Sequence, residues 1–186
     1  LTINGKGSLT VTSPAGHGIV CKDDLVITGG SCVINCASHG LDANDSVRVV
    51  GASITIDSGK DAIHCENNED TSKGFVYIGG GSIKAEAEGD GISSGAYMQI
   101  ADGEIELLTG GGSENGSKAS SDSYGGFMGG GRPGEMRYGE VPTAEAQEDS
   151  TSMKGLKSVG SMEISGGNIT IDSADDAIHS DASLKV

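Results

Sequence analysis

The stretch that decides the fold is MEISGGNITIDSADDAIHSDASLKV at residues 162–186. It contains three short, mainly apolar segments, at 162–164, 169–171 and 177–178, which are separated by turn residues. The apolar pattern of 162–164 starts again at 184–186, 22 residues later. Because alternation of apolar and polar residues with a period of two is typical of β-strands, the stretch predicts three short strands in one unit.

The same unit recurs along the chain. Its first apolar segment begins at positions 1, 25, 47, 76, 98, 162 and 184, at intervals of 24, 22, 29, 22, 64 and 22 residues. Such repetition, with turns rich in Gly, Asp, Asn and Ser, is typical of solenoids. The sequence therefore predicts an all-β fold, a single-stranded parallel β-helix of about seven coils with about 22 residues and three short strands in each. The rule for parallel crossover connections predicts a right-handed helix.

The composition excludes several classes of function. The 186 residues include 12 Lys and Arg against 27 Asp and Glu, which gives a net charge of 12 − 27 = −15. So acidic a chain is not expected to follow a nucleic-acid backbone or to approach an anionic membrane. Its apolar runs are far shorter than the ~20 residues of a membrane-spanning helix, and its first residues do not resemble a signal peptide. The aromatic content of 3% fits a narrow interior of stacked aliphatic side chains.

We expect one domain over residues 1–186, interrupted by a Gly-rich insertion at 108–153. The insertion carries large side chains, among them Tyr124 and Tyr138, and it is either a lid, a groove wall or a mobile excursion. The chain begins and ends within strand-like segments, and open solenoid ends expose strand edges. We therefore expect other β-helix segments, of the same chain or of a partner, to cover these ends.

The cysteines are expected to be free. Alternation places Cys21, Cys32, Cys36 and Cys65 inside the predicted helix. Cys21 and Cys65 share a column but lie two coils apart, beyond the ~7 Å between Cα atoms that a disulfide allows. We expect these thiols to pack as small hydrophobic groups.

Acidic residues recur at the turn before the third strand of each unit. The residues at this position are expected to form a column, called here the edge column: His17, His39, Asp61, Asp90, Lys154 and Asp176. Neighbouring strands lie about 4.8 Å apart, which brings Asp61 and Asp90 within reach of one cation. Asp45 and Glu66 follow the third strand. Oxygen-rich clusters suit Ca²⁺, and solvated acidic turns are the alternative.

Three basic side chains suggest further chemistry. His64 and His179 occupy the outward position of a DAIH motif. They are either ligands of a metal or glycan, acid/base groups, or ordinary polar side chains of a strand. Lys154 is the one lysine of the edge column. Beside calcium, a neutral lysine could remove a proton α to a carboxylate, as in β-elimination of polyuronates. A salt bridge to Asp90 or Asp176 is the alternative.

Several ordered segments resemble the clostridial-type carbohydrate-binding β-helix family of secreted cell-surface proteins. The segments are INGKGSLTV, KDDLVITGG, SGKDAIHCEN and MKGLKSVGSMEISGGNITIDSADDAIHSD, and the resemblance covers essentially the whole chain. It implies a non-catalytic domain that binds calcium and acidic plant polysaccharide such as polygalacturonate (pectin), with cellulose as a further ligand of the family. It also implies an extracellular or cell-surface location. The family's acids correspond to Asp61, Asp90, Asp175 and Asp176, while His17 and His39 replace its usual Asp.

Three functions therefore stay open: a calcium-dependent binding domain for acidic polysaccharide, a pectate-lyase-like enzyme with Lys154 as base, and a structural or adhesive solenoid. We favour the first. Uronates are favoured over cellulose because cellulose binding uses aromatic platforms. With so few aromatic residues in the chain, only those of the insertion could form such a platform. The predicted metal ligands are Asp45, Asp61, Glu66, Asp90, Asp175 and Asp176, and the predicted glycan contacts are His64, His179, Lys154, Tyr124 and Tyr138.

Overall fold

A computed structural model of the protein describes residues 1–67, 70, 72–116 and 152–186. These residues form β-strands and one 3₁₀ turn at Ser113–Asn115. The strands are β1 (Thr2–Ile3), β2 (Ser8–Ser13), β3 (Ile19–Cys21), β4 (Asp24–Ile27), β5 (Ser31–Cys36), β6 (Leu41–Ala43), β7 (Ser46–Ser58), β8 (Ile63–Cys65), β9 (Phe75–Ala87), β10 (Ile92–Ser94), β11 (Tyr97–Thr109), β12 (Leu156–Ser158), β13 (Ser161–Ile164), β14 (Asn168–Ser173), β15 (Ile178–Ser180) and β16 (Leu184–Lys185).

The strands form two sheets with parallel pairing. The smaller sheet has six strands in the order β15-β12-β10-β8-β6-β3, and the larger sheet has ten, with the path β1-β4-β7-β9-β11-β13-β16 and β2, β5 and β14 beside it. The chain passes through the two sheets in turn, and we call each such passage a rung. This arrangement confirms the all-β, parallel prediction and agrees with a β-helix-like fold. The right hand and the number of coils stay predictions.

The pairing register follows the 22-residue interval. Leu41 pairs with Ile63, and Met162 pairs with Leu184. Where the sequence has an insertion of 7 residues, Ile54 pairs with Ile83, 29 residues away. Equivalent side chains therefore stack in columns from rung to rung.

In three rungs the first two predicted strands form one continuous strand of 13 residues, namely β7, β9 and β11. Glycines with positive φ lie within them: Gly51 at 82°, Gly81 at 99° and Gly103 at 131°. Glycine adopts such φ angles without steric cost, and the pairing register shifts close to these positions. The turn predicted between the first and second strands of a unit is thus a bend within one continuous strand in these three rungs.

The interior of the described part is aliphatic. Side chains such as Leu25, Val47 and Met98 are fully buried, and the buried core of the described residues contains no aromatic side chain. Cys32, Cys36 and Cys65 are buried, Cys21 is partly buried, and all four are free, as predicted. Burial raises the pKa of the Cys65 thiol to about 12. None of the described helical structure is long and apolar enough to cross a membrane.

Candidate functional site

The edge column forms as the spacing predicts. The amide after each member donates to the carbonyl oxygen of the equivalent member in the next rung. Three of these bonds are Gly40 N to Asp61 O at 3.0 Å, Ala62 N to Asp90 O at 3.0 Å and Gly91 N to Lys154 O at 2.8 Å. Asp61 and Asp90 therefore lie in neighbouring rungs.

One oxygen of each of these two carboxylates already accepts a hydrogen bond from the backbone. Oδ1 of Asp61 accepts the backbone N–H of Asp90 at 2.8 Å, and Oδ1 of Asp90 accepts the backbone N–H of Lys154 at 2.7 Å. Asp90 is only 1% exposed. Burial, together with the charge of Asp90, raises the pKa of the Asp61 carboxyl to about 6. Asp61 is thus close to half-protonated in mildly acidic solution.

Three of the six predicted calcium ligands form ion pairs with lysine. The distances between a carboxylate oxygen and Nζ are 2.9 Å for Asp45–Lys73, 3.2 Å for Asp90–Lys157 and 2.7 Å for Asp175–Lys154. An ammonium group in an ion pair competes with a metal ion for the same carboxylate oxygen. These three carboxylates are therefore poor candidates for a calcium site.

The other three predicted ligands lie beside histidine. The distances between a carboxylate oxygen and a ring nitrogen are 3.5 Å for Asp61–His39, 3.7 Å for Glu66–His64 and 3.1 Å for Asp176–His179. Ca²⁺ takes 6–8 oxygen ligands, so these contacts do not form a closed calcium cage. A calcium ion bound to these carboxylates would need further oxygen ligands from the bound molecule.

The pairing of Lys154 differs from both pairings expected from the sequence. Its Nζ contacts Asp175, the acid before the edge column, and Lys157 instead pairs with Asp90. Lys154 is 5% exposed. An ion pair at 2.7 Å stabilises the protonated ammonium, which cannot act as a base. The geometry therefore gives the lyase alternative no support.

His64 and His179 lie in one outward column of the smaller sheet but not beside each other. The column runs Val20, Asp42, His64, Ser93, Lys157, His179. His179 contacts Asp176 and, at 2.8 Å, Asp181. With strands about 4.8 Å apart, three steps separate the two histidines by about 14 Å. They cannot share one ion or one sugar ring.

A group of mixed nitrogen and oxygen donors surrounds Asp61. His39, Asp61 and His64 each offer one ligand atom, and the three atoms lie within 4.8 Å of one another. The rings of His39 and His64 stack with centroids 4.2 Å apart. Two imidazoles and one carboxylate suit a borderline ion such as Zn²⁺ better than Ca²⁺.

An aromatic cluster on the larger sheet was not foreseen from the sequence. Phe75 and Tyr77 of β9 point outward, and Tyr97 of β11 pairs with Phe75. The signal that could have revealed it is the spacing, because positions 75 and 97 are 22 residues apart. We call these three residues the aromatic face. Tyr124 and Tyr138, the tyrosines predicted to contact glycan, lie outside the described residues.

Comparison with known proteins identifies the family. The family model described as "Carbohydrate-binding domain-containing protein" matches residues 1–186. No curated protein and no solved structure matches the chain. Because the family model covers every residue, the chain belongs to the carbohydrate-binding domain-containing protein family.

Proposed function

We propose that this domain binds an acidic polysaccharide such as polygalacturonate and belongs to a secreted or cell-surface protein. The observation that carries the proposal is the match of a carbohydrate-binding family to the whole chain. The ordered motifs that resemble the clostridial-type family support the choice of an acidic glycan. The domain acts by binding, since Lys154, the base that the lyase alternative requires, is buried in an ion pair.

Calcium is the second part of the proposal. A protein of net charge −15 and a polyuronate repel each other, and a divalent cation shared between their carboxylates removes this repulsion. Asp61 and Glu66 are the best of the six predicted ligands, because neither pairs with lysine and both lie close to the same side chain, His64, so that one ion could reach both. Since these contacts form no closed cage, uronate oxygens would complete the coordination. Calcium and glycan are therefore expected to bind together.

Affinity electrophoresis in gels that contain polygalacturonate tests both parts. We expect retardation with Ca²⁺ and a clear decrease with EDTA. Asp61→Asn and Glu66→Gln should each weaken calcium-dependent binding at least tenfold, since losing even a group that only supports a metal ligand costs about tenfold to a hundredfold. Asp45→Asn is the matched control, because Asp45 pairs with Lys73.

The result that would contradict an acidic ligand is retention by a neutral glycan such as cellulose with none by polygalacturonate. Equal retardation with Ca²⁺ and EDTA would remove calcium from the proposal. Thermal melts provide a second readout, because a ligand of the folded state raises Tm with its occupancy. Calcium and polygalacturonate together should raise Tm more than either alone.

A further inference from the structure

The aromatic face lies on the outer surface of the larger sheet, away from the edge column. Phe75 and Tyr97 are directly paired on neighbouring strands, and Tyr77 follows two residues after Phe75 on the same side of β9. The intervening Val76 is fully buried, which fixes the outward direction of its neighbours. The three rings therefore adjoin one another at the surface, where they are only partly buried.

The ring of Tyr77 lies down on the sheet. A Cβ placed on Gly79 would come within 2.7 Å of Cε1 and 2.8 Å of the hydroxyl oxygen of Tyr77. The ring thus covers the backbone of Gly79, and its opposite side faces outward. Because Tyr77 is only partly buried, that side is accessible to a ligand. A flat, accessible ring is the surface on which the C–H groups of a pyranose pack, since the face of the ring carries the negative end of its quadrupole.

Two groups that form hydrogen bonds flank Tyr77 in register. Arg48 of β7 pairs with it on one side and Gln99 of β11 on the other. The Arg48 guanidinium lies 4.8 Å from the centroid of the Phe75 ring. Within the described part of the chain, Arg48 has no carboxylate partner, whereas Lys73, Lys154 and Lys157 all pair with acids. Its N–H donors therefore remain available to an anionic ligand.

A groove of about 410 Å³ runs along this surface. Its lining combines the aromatic face with Arg48, Gln99 and the aliphatic Val26 and Val50. Sites of this kind, with apolar walls and a few placed polar groups, are typical of small-ligand recognition. The groove thus offers a stacking surface, a carboxylate-binding cation and an amide side by side.

We propose that this groove binds a uronic-acid unit of a linear polysaccharide directly, with its pyranose ring on Tyr77 and its carboxylate on Arg48. The inference rests on the proposed function for the ligand class and assigns it a contact surface distinct from the calcium-dependent edge. Arg48 provides the charge complementarity, because a guanidinium matches the two oxygens of a carboxylate. Gln99 binds a hydroxyl group of the same sugar.

Variants of Tyr77 and Gly79 test the stacking contact on the full chain. Tyr77→Ala should weaken binding of polygalacturonate about tenfold, and Tyr77→Phe should restore most of it. Gly79→Ala removes no functional group, yet its Cβ displaces the Tyr77 ring, so it should weaken binding while Tm stays within a few degrees. Equal affinities of the wild type, Tyr77→Ala and Gly79→Ala would overturn the proposal.

Variants of Arg48 test the carboxylate contact. Arg48→Met should weaken binding of polygalacturonate about tenfold and leave binding of a reduced, uncharged form of the same polymer unchanged. The matched control is Lys84→Met, which removes a cation that pairs with Glu106 at 2.6 Å elsewhere on the larger sheet. A loss of the same size for both polymers, or for both variants, would overturn the role of Arg48.

The failure of this inference can be distinguished from the failure of the proposed function. If the wild type binds polygalacturonate and only Asp61→Asn and Glu66→Gln weaken it, the function stands and the groove is not the contact surface. If the wild type binds no acidic glycan under any condition, the function itself fails. Circular dichroism of each variant confirms that a loss of binding is not a loss of fold.

Discussion

The charge of His64 is set by the carboxylates beside it. Its Nδ1 lies 2.9 Å from Asp42 and its Nε2 lies 3.7 Å from Glu66. Burial alone would lower the pKa of this imidazole, but the two carboxylates outweigh burial and raise it to about 9. For His39, burial and the charge of His64 lower the pKa to about 4. At neutral pH a neutral ring therefore stacks on a charged one.

We expect the stability of the protein to fall between pH 6.5 and 9 because of His64. Its folded pKa of about 9 lies above the unfolded value near 6.5, so its contribution is complete below pH 6.5 and is lost as the pH rises through 9. The shift corresponds to about 3 kcal/mol. Urea unfolding at pH 6, 7.5 and 9 measures it, and His64→Gln should flatten the curve. Parallel curves for the wild type and His64→Gln would contradict this assignment.

The small residue after each member of the edge column is required by the packing of the rungs. A Cβ on Gly40 would lie 2.5 Å from Cγ2 of Ile56, and one on Gly155 would lie 2.3 Å from Cγ2 of Ile171. Ala62 is the residue that follows the edge column in the next rung. Ala85 pairs with Ile56, so Ala85 stands opposite Ala62 where Ile56 stands opposite Gly40. From this register we infer that the methyl of Ala62 packs against the short side chain of Ala85.

Substitution of Ala85 and Ala62, singly and together, should reveal the energetic coupling between them. Ala85→Ile places a branched side chain against the Ala62 methyl and should lower the free energy of unfolding by about 1–3 kcal/mol, the usual effect of overpacking. Adding Ala62→Gly recreates the pairing of Gly40 with Ile56 and should recover most of the loss. Chemical denaturation of both single variants and the double variant gives the coupling energy. A double variant no more stable than Ala85→Ile would contradict the matched packing.

The strand pattern was predictable because every rung repeats the same inward positions. Leu9 pairs with Cys32 and Val11 with Ile34, although the second strand of the first unit begins one residue later than in the other units. The continuity of β7 was not predictable, because the sequence GAS at 51–53 serves equally for a turn and for a bend at a positive-φ glycine. Which acid meets Lys154 depends on where two adjacent side chains point, and an interval of 22 residues does not encode that.

Ion pairs occur on both outer surfaces of the molecule, including Lys84–Glu106 and Lys185–Glu163 on the larger sheet. On the smaller sheet and its edge, carboxylates meet lysines and histidines, as in Asp90–Lys157 and Asp42–His64. On the larger sheet, Arg48 lies against Phe75 without an acidic partner among the described residues. The sequence indicated the first surface through its recurring Asp residues. It also encoded the second through register, but the low aromatic content suggested that only the insertion could supply an aromatic surface.

The net charge leads to an expectation about salt. Without calcium, a protein of net charge −15 and a polyuronate repel each other over the whole approach, and the Arg48 contact opposes this repulsion only locally. Raising the salt concentration from about 0.01 M to 0.15 M shortens the Debye length from about 30 Å to about 8 Å, which screens the long-range repulsion more than the short contact. In EDTA, the affinity for polygalacturonate should therefore rise by roughly threefold to tenfold over this range. Isothermal titration at the two salt concentrations measures the change. A steady decrease of affinity with salt would mean that local attraction outweighs the net charge.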